Sequence, residues 1–309
     1  MKERYVTMLL ALSMVCAGSN VVTGKLLAGK VDVFTIGFVS LGMALLALLP
    51  AQLKKRAELR RLSPSDLLHV GMQSLFGIVL YRVLTIVGLT YSQALDAAVI
   101  LSTTPAVITL LAMIALRERP TPRRMVAIGL AVAAALVVNL AEAREPNVSS
   151  AEAAFLAPER LLGNLLILGA VLCEALMTIV RRHSGTRVSH VTNTTLMVAT
   201  GFLFFAVAGL VRGFSFEAIT LPLLGLLAVF GLVGTAVGYL LWGYGAARVP
   251  ATTTGVVLGI LPLTAIALGV AILGEPLTAA NVIGALLGLG GLLLVGLGGR
   301  TAKPAAKVA

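Results

Sequence analysis

The chain has 309 residues, of which 58% are hydrophobic and only 12% charged, with 32 glycines. Soluble domains carry about a quarter charged residues, so a water-facing fold is excluded, as are disorder and, without a Gly-X-Y period, collagen. A net charge of +11 suits nucleic acid only on the basic face of a soluble domain, and here the basic residues lie between apolar runs.

In chain order, charge-free runs occupy 5–24, 33–53, 97–116, 125–141, 188–211, 218–247, 249–274 and 276–299. Two further apolar stretches, 67–88 and 161–180, hold one internal charge each, Arg82 and Glu174. A helix needs about 20 apolar residues to cross the hydrocarbon core. The chain therefore reads as an all-α integral membrane protein of ten transmembrane helices, with no room for a folded extramembrane domain. Lys2 and Arg4 before an apolar run imitate a signal peptide, but the run is of full membrane length and reads as a retained span. Cys16 and Cys173 fall inside spans, as buried packing residues.

Lys and Arg in the short loops set the orientation. With both termini cytoplasmic, eighteen basic residues lie inside and four outside, namely Lys30, Arg144, Arg160 and Arg212. The expectation is a multi-pass protein of the cell membrane with both ends in the cytoplasm. That topology accounts for the positive charge without nucleic acid.

The two halves of the chain resemble one another. A shift of 157 residues carries Gly77 onto Gly234, Gly88 onto Gly245, Pro105 onto Pro262, Glu118 onto Glu275 and Thr121 onto Thr278. The unit is five helices long. Five is odd, so the second copy enters from the opposite side and the copies form an inverted repeat, a design of secondary transporters. The expected organisation is a first repeat over 1–145, an external linker over 146–160, a second repeat over 161–300 and a cytoplasmic tail over 301–309.

At the level of motifs, the chain resembles the drug/metabolite transporter superfamily, in particular its ten-helix EamA-type members. Ala17-Gly18-Ser19-Asn20, followed by Lys25, is similar to the family's first helix. Leu116-Arg117-Glu118-Arg119-Pro120-Thr121 and Leu273-Gly274-Glu275-Pro276-Leu277-Thr278 resemble its junctions between helices four and five and between nine and ten. Tyr239-Leu240-Leu241-Trp242 resembles its eighth helix. The chain departs from the pattern where a Trp is missing before Gly18, where Ser40 replaces a common Arg, and where Glu174 replaces a common Trp. The resemblance implies transport of small metabolites, often export, by alternating access.

Helical spacing sorts the polar residues inside the spans. Ser13, Cys16, Asn20 and Gly24 share one face of helix one; Gln73, Gly77, Tyr81, Thr85 and Gly88 share one of helix three; Gly231, Thr235, Tyr239 and Trp242 share one of helix eight. Such faces turn either to close helix packing or to a wet cavity. Glu174 lies 13 residues beyond Leu161, about 20 Å along its helix, where a carboxylate costs at least ~3 kcal/mol unless it faces water, pairs or protonates. The expected substrate-binding residues are Asn20, Tyr81, Thr103, Glu174, Tyr239 and Trp242, with Glu174 taking an amine or a proton. Lys25, Arg82 and Asp96 are expected near the external helix ends, Arg82 paired with Asp96 either as a lock on the three–four hairpin or as an external gate. Glu118 with Thr121, and Glu275 with Thr278, are expected to cap helices five and ten. Pro105 and Pro262 should kink helices four and nine as related hinges.

His69, His183 and His190 have no metal spacing, and no Gly-rich phosphate loop is present, so neither a metal nor another cofactor is expected. Convergent catalytic groups are missing, which argues against an enzyme. The leading expectation is a secondary transporter that moves a small metabolite, an amino acid or similar, by alternating access in the export direction, with proton coupling or facilitated diffusion both open. A broad exporter of amphipathic drugs, a lipid-linked sugar flippase and a non-transporting receptor or scaffold are the alternatives.

Overall fold

The computed structural model describes residues 2–115, 122–141, 158–184, 189–246, 248–249 and 257–297. Among the described residues ten longer helical segments follow one another: α1 Lys2–Leu27, α2 Val33–Leu53, α3 Pro64–Tyr91, α4 in two pieces Ala94–Leu101 and Thr104–Ala115, and α5 Pro122–Ala141. The second set is α6 Pro158–Ser184, α7 His190–Arg212, α8 Leu221–Gly245, α9 Ile260–Leu273 and α10 Ala279–Leu297. No strand occurs among the described residues. Six of the ten (α1, α2, α3, α6, α7 and α8) are long and apolar enough to cross a bilayer, and α4, α5, α9 and α10 supply shorter apolar stretches. Most of the expected linker, the tail, and both Glu118 and Thr121 lie outside the described residues; α6 already begins at Pro158, within the expected linker.

Polar residues at the loops start the helices. Asp32 accepts from the backbone N–H of Phe34 (2.8 Å) and Thr35 (3.0 Å) to cap α2, and Ser63 with Asp66 forms a reciprocal cap at the start of α3. Ser189, the 157-shifted counterpart of Asp32, caps α7. Glu58, in the single turn Arg56–Leu59 between α2 and α3, reinforces that cap by accepting from the Ser189 N–H (2.9 Å), the Ser189 hydroxyl (2.8 Å) and the Thr192 hydroxyl (2.6 Å). Burial pushes the Glu58 carboxyl up, but these bonds and Lys55 at 3.3 Å outweigh it and hold the group at about 2.

The packing obeys a two-fold exchange. α2 lies on its own counterpart α7, and α5 on α10, while α3 against α6 is matched by α8 against α1. Individual contacts repeat the exchange. Gly88 abuts Ile167 and Gly245 abuts Leu10; Gly77 abuts Met177 and Gly234 abuts Asn20. In both pairs, adding 157 to one partner and subtracting it from the other converts each contact into its image. Gly231 likewise sits against the Ser40 backbone, and in the image contact the Ser74 hydroxyl donates to the Met197 carbonyl (2.7 Å). Only a two-fold relation between the halves gives such reciprocity, and with five spans in each half the axis lies in the membrane plane. The ten helices are thus two inverted five-helix repeats.

The rods are interrupted at equivalent places. α3 widens into a π turn over Leu75–Leu80 and α8 over Val229–Val237, which overlap under the 157 shift. α4 breaks at 102–103, and a turn at Gly259 precedes α9. Pro105 and Pro262 therefore fall in the first turn after a break instead of kinking a continuous helix. In a first turn the missing proline N–H has no intrahelical acceptor to lose.

Candidate functional site

A cavity of about 250 Å³ opens between the halves. Its walls come from α1, α3, α4, α6, α7, α8 and α9, with Leu292 from α10. Both π turns reach it through Gly77, Ile78, Phe230, Gly234 and Thr235. Wide turns of this kind displace backbone carbonyls from regular helical bonding. Here the Tyr239 hydroxyl donates to the Gly77 carbonyl at 3.1 Å, tying the two interrupted helices together across the space.

Of the six residues expected to bind substrate, Asn20, Tyr81, Glu174, Tyr239 and Trp242 all line the cavity. Asn20 is held where Gly234 has no side chain, and its Oδ1 is buried with no hydrogen-bond partner. Thr103 does not line it. Adjacent residues on a helix point about 100° apart, and the break at 102–103 leaves Thr104 facing the cavity while Thr103 faces a separate apolar groove between α4, α5 and α6, beside Ala106, Ala131 and Leu165. The Thr104 hydroxyl, 3.4 Å from Glu174 Oε2, is the side-chain partner of that carboxylate among the described residues. Thr178 bonds only the Glu174 backbone carbonyl, at 3.0 Å.

The expected pairing of Arg82 with Asp96 is not formed. α3 continues to Tyr91, which sets Arg82 nine residues, about 14 Å, from its end; Asp96 is the third residue of α4, only about 3 Å from that helix's start. The two charges therefore lie at different depths. Arg82, 7% exposed, reaches across the cavity wall to donate from Nη1 to Ser40 Oγ (2.5 Å) and from Nη2 to Thr235 Oγ1 (2.9 Å). Its guanidinium carbon lies 4.5 Å from the centroid of the Phe230 ring, a cation–π geometry.

Asp96 is engaged at the end of the bundle remote from the start of α1. It accepts from Arg160 Nη2 (2.7 Å) and Nε (2.9 Å) and from Asn281 Nδ2 (3.1 Å). Lys25 Nζ donates beside it to the Leu89 (2.8 Å) and Ser92 (2.5 Å) carbonyls. Glu275 does not cap α10, which Thr278 caps by accepting from the Asn281 N–H (3.2 Å). Gly274, at φ +67, ends α9 in a left-handed turn that sends Glu275 back onto the other repeat. There each of its oxygens accepts a backbone N–H of α4, from Ala94 and from Leu95, both at 2.9 Å. None of Lys25, Asp96, Arg160 or Glu275 lines the cavity, and the apolar side chains of Val21, Leu89, Ile100 and Val171 pack beneath them. The cavity is sealed at this far end. Toward the basic end, where α1 starts, the lining includes Arg181, Asn193 and Thr194.

Arg82, Thr104, Arg181 and Asn193 were not among the expected cavity residues. Arg82 carried a legible signal: it is the 157-shifted counterpart of Tyr239, so a cavity-facing Tyr239 places Arg82 on the wall as well. Pro105 and Pro262 also line the space. No cluster of potential metal ligands occurs among the described residues.

A membrane-spanning helical bundle of two inverted repeats enclosing a central cavity defines an integral membrane transporter architecture. The EamA-like transporter family matches residues 5–140 and again 161–297, one match for each repeat, and the chain belongs to that family. Uncharacterized transporter YetK of Bacillus subtilis is 29% identical over 287 residues, covering 92% of this chain and 84% of YetK. A probable terminal-alkyne amino-acid exporter of Streptantibioticus cattleyicolor is 25% identical over 238 residues, 76% of this chain and 75% of its own. A solved crystal structure superposes with a TM-score of 0.66 at 17% identity, over 96% of this chain and 98% of that one, a likeness of fold. The protein is a multi-pass membrane transporter of the EamA type.

Proposed function

We propose that this transporter moves a small polar metabolite, an amino acid or a similar compound, out of the cell by alternating access. The observation that carries the reading is the central cavity itself. It lies between two equivalent halves and holds the Glu174 carboxylate with the Arg82 and Arg181 guanidiniums among hydroxyl and aromatic groups. Two nearly equivalent packings of related halves supply the two states that alternating access needs. The basic end, toward which Arg181, Asn193 and Thr194 line the cavity, faces the cytoplasm under the positive-inside rule, and the substrate loads from the cell interior. Asn20, Tyr81, Thr104, Glu174, Tyr239 and Trp242 contact the substrate, and the breaks before Pro105 and Pro262 act as paired hinges. The amino-acid exporter among the relatives supports the substrate class.

Glu174 is the group through which a proton gradient would couple, because a proton and a substrate amine compete for the same carboxylate. The test is flux of a panel of amino acids and related metabolites in proteoliposomes, with and without an imposed pH gradient. Glu174→Gln is expected to abolish transport or remove its response to the gradient while the protein still folds. Unchanged flux and an unchanged gradient response in that variant would refute the role, and no flux of any panel member in the wild type would refute the function.

A further inference from the structure

Arg82 and Glu174 are opposite charges in one cavity that do not meet. Among the described residues no carboxylate touches Arg82, whose partners are the Ser40 and Thr235 hydroxyls and the Phe230 ring. The side chain of Glu174 meets the Thr104 hydroxyl and no basic group. They nevertheless lie at nearly one depth. Gly88 sits against Gly163 and Ile167, and Gly77 against Met177, so α3 and α6 run antiparallel with Glu174 level with Leu80. Arg82 is two residues from that level, about 3 Å along the axis. The guanidinium is drawn toward α2 and α8, the carboxylate toward α4 on another wall, and Tyr81 and Tyr239 line the same space.

A salt bridge would have neutralised the pair. Two unneutralised charges held apart in a low-dielectric space attract a ligand of complementary polarity at each end. Arg82 is pre-organised for this. Two hydroxyls and an aromatic face fix its planar fork, the geometry that recognises a carboxylate bidentately. The buried Asn20 Oδ1, without a partner, is a further acceptor lining the same cavity.

We propose that Arg82 and Glu174 are the two poles of one zwitterion-binding site, the ligand's carboxylate docking at Arg82 and its ammonium at Glu174. The proposal rests on the transport reading above and adds to it the polarity and the residue at each end. A compound with only one of the two charges leaves the opposite pole unpaired, so the site discriminates against simple amines and simple acids alike.

Trp242, the chain's single tryptophan, lines the cavity, so its fluorescence reports occupancy without any transport measurement. The full-length protein in detergent would be titrated with straight-chain amino acids from glycine to 6-aminohexanoate, and with carboxylates and amines of matching length. The expected result is at least one amino acid binding tenfold or more tighter than both its single-charge analogues. Arg82→Gln should reduce that amino acid to the affinity of the amine, and Glu174→Gln to the affinity of the carboxylate. Ser40→Ala, which removes one hydroxyl holding Arg82, should weaken the amino acid and the carboxylate by the same factor and leave the amine unchanged, a readout available even if Arg82→Gln does not fold. A single-charge compound binding as tightly as the best amino acid, a zwitterion preference surviving either pole substitution, or no response to any amino acid would overturn the proposal. Flux of uncharged or singly charged metabolites in proteoliposomes would then leave the transport reading standing without it.

Discussion

Removing the Glu275 side chain should unseal the far end. In the structure its two oxygens accept the first backbone N–H groups of α4, from Ala94 and Leu95, and both residues are fully buried. No intrahelical acceptor exists for N–H groups in a first turn, and each one left buried and unpaired costs about 1–3 kcal/mol. Water entering the vacated space offsets part of this, so Glu275→Ala should disfavour the sealed state by about 2 kcal/mol, a shift of about 30-fold in its population relative to the open one. Glu275→Gln keeps one carbonyl acceptor and should shift it less. The assay is labelling of a cysteine at Val22, buried under the seal, by a membrane-impermeant maleimide added from the far side, in a background lacking Cys16 and Cys173. Faster labelling in the order Glu275→Ala, Glu275→Gln, wild type is expected, with thermal melting in detergent to separate opening from unfolding. Equal labelling rates in all three folded proteins would refute the reasoning.

Other consequences are equally direct. A methyl group at Gly234 would overlap the Asn20 amide, so Gly234→Ala should cost about 1–3 kcal/mol of stability and lower the melting temperature. Gly71→Ala, where a Cβ meets nothing within 4 Å, should leave the melting temperature unchanged or raise it. The Glu58 carboxyl is held at about 2, below its value of about 4.3 in an unfolded chain, so it contributes stability above that value which disappears as pH falls toward 2. Melting temperature should therefore fall more steeply on acidification in the wild type than in Glu58→Gln, and parallel profiles would refute the assignment. Exchanging Arg82→Asp with Asp96→Arg should fail to restore transport lost in the single variants, because the two groups lie at different depths and have different partners; recovery of flux would show that they pair after all.

What the sequence by itself determined was the set of spans, their inverted repetition and the faces of the helices that turn inward. Lipid cannot satisfy a polar side chain, so helical spacing alone sends Asn20, Tyr81, Glu174, Tyr239 and Trp242 toward protein, and all five line the cavity. Spacing within one helix carries no information about what stands opposite it. The partners of Asp96 come from Arg160 and Asn281, and those of Glu275 from the start of α4, residues distant in the chain that only the packing of two repeats brings together. A break of two residues in α4 was enough to exchange Thr104 for Thr103, because one residue turns a side chain by about 100°. Arg82 shows the same limit in depth: its run of apolar residues placed it in the membrane, but the length of α3 beyond Gly88 and the approach of Ser40 and Thr235 decided that it reaches the cavity and not the far-end network. Periodicity is a property of one helix, whereas register and opposition belong to pairs of helices, and those were settled only when the ten packed together.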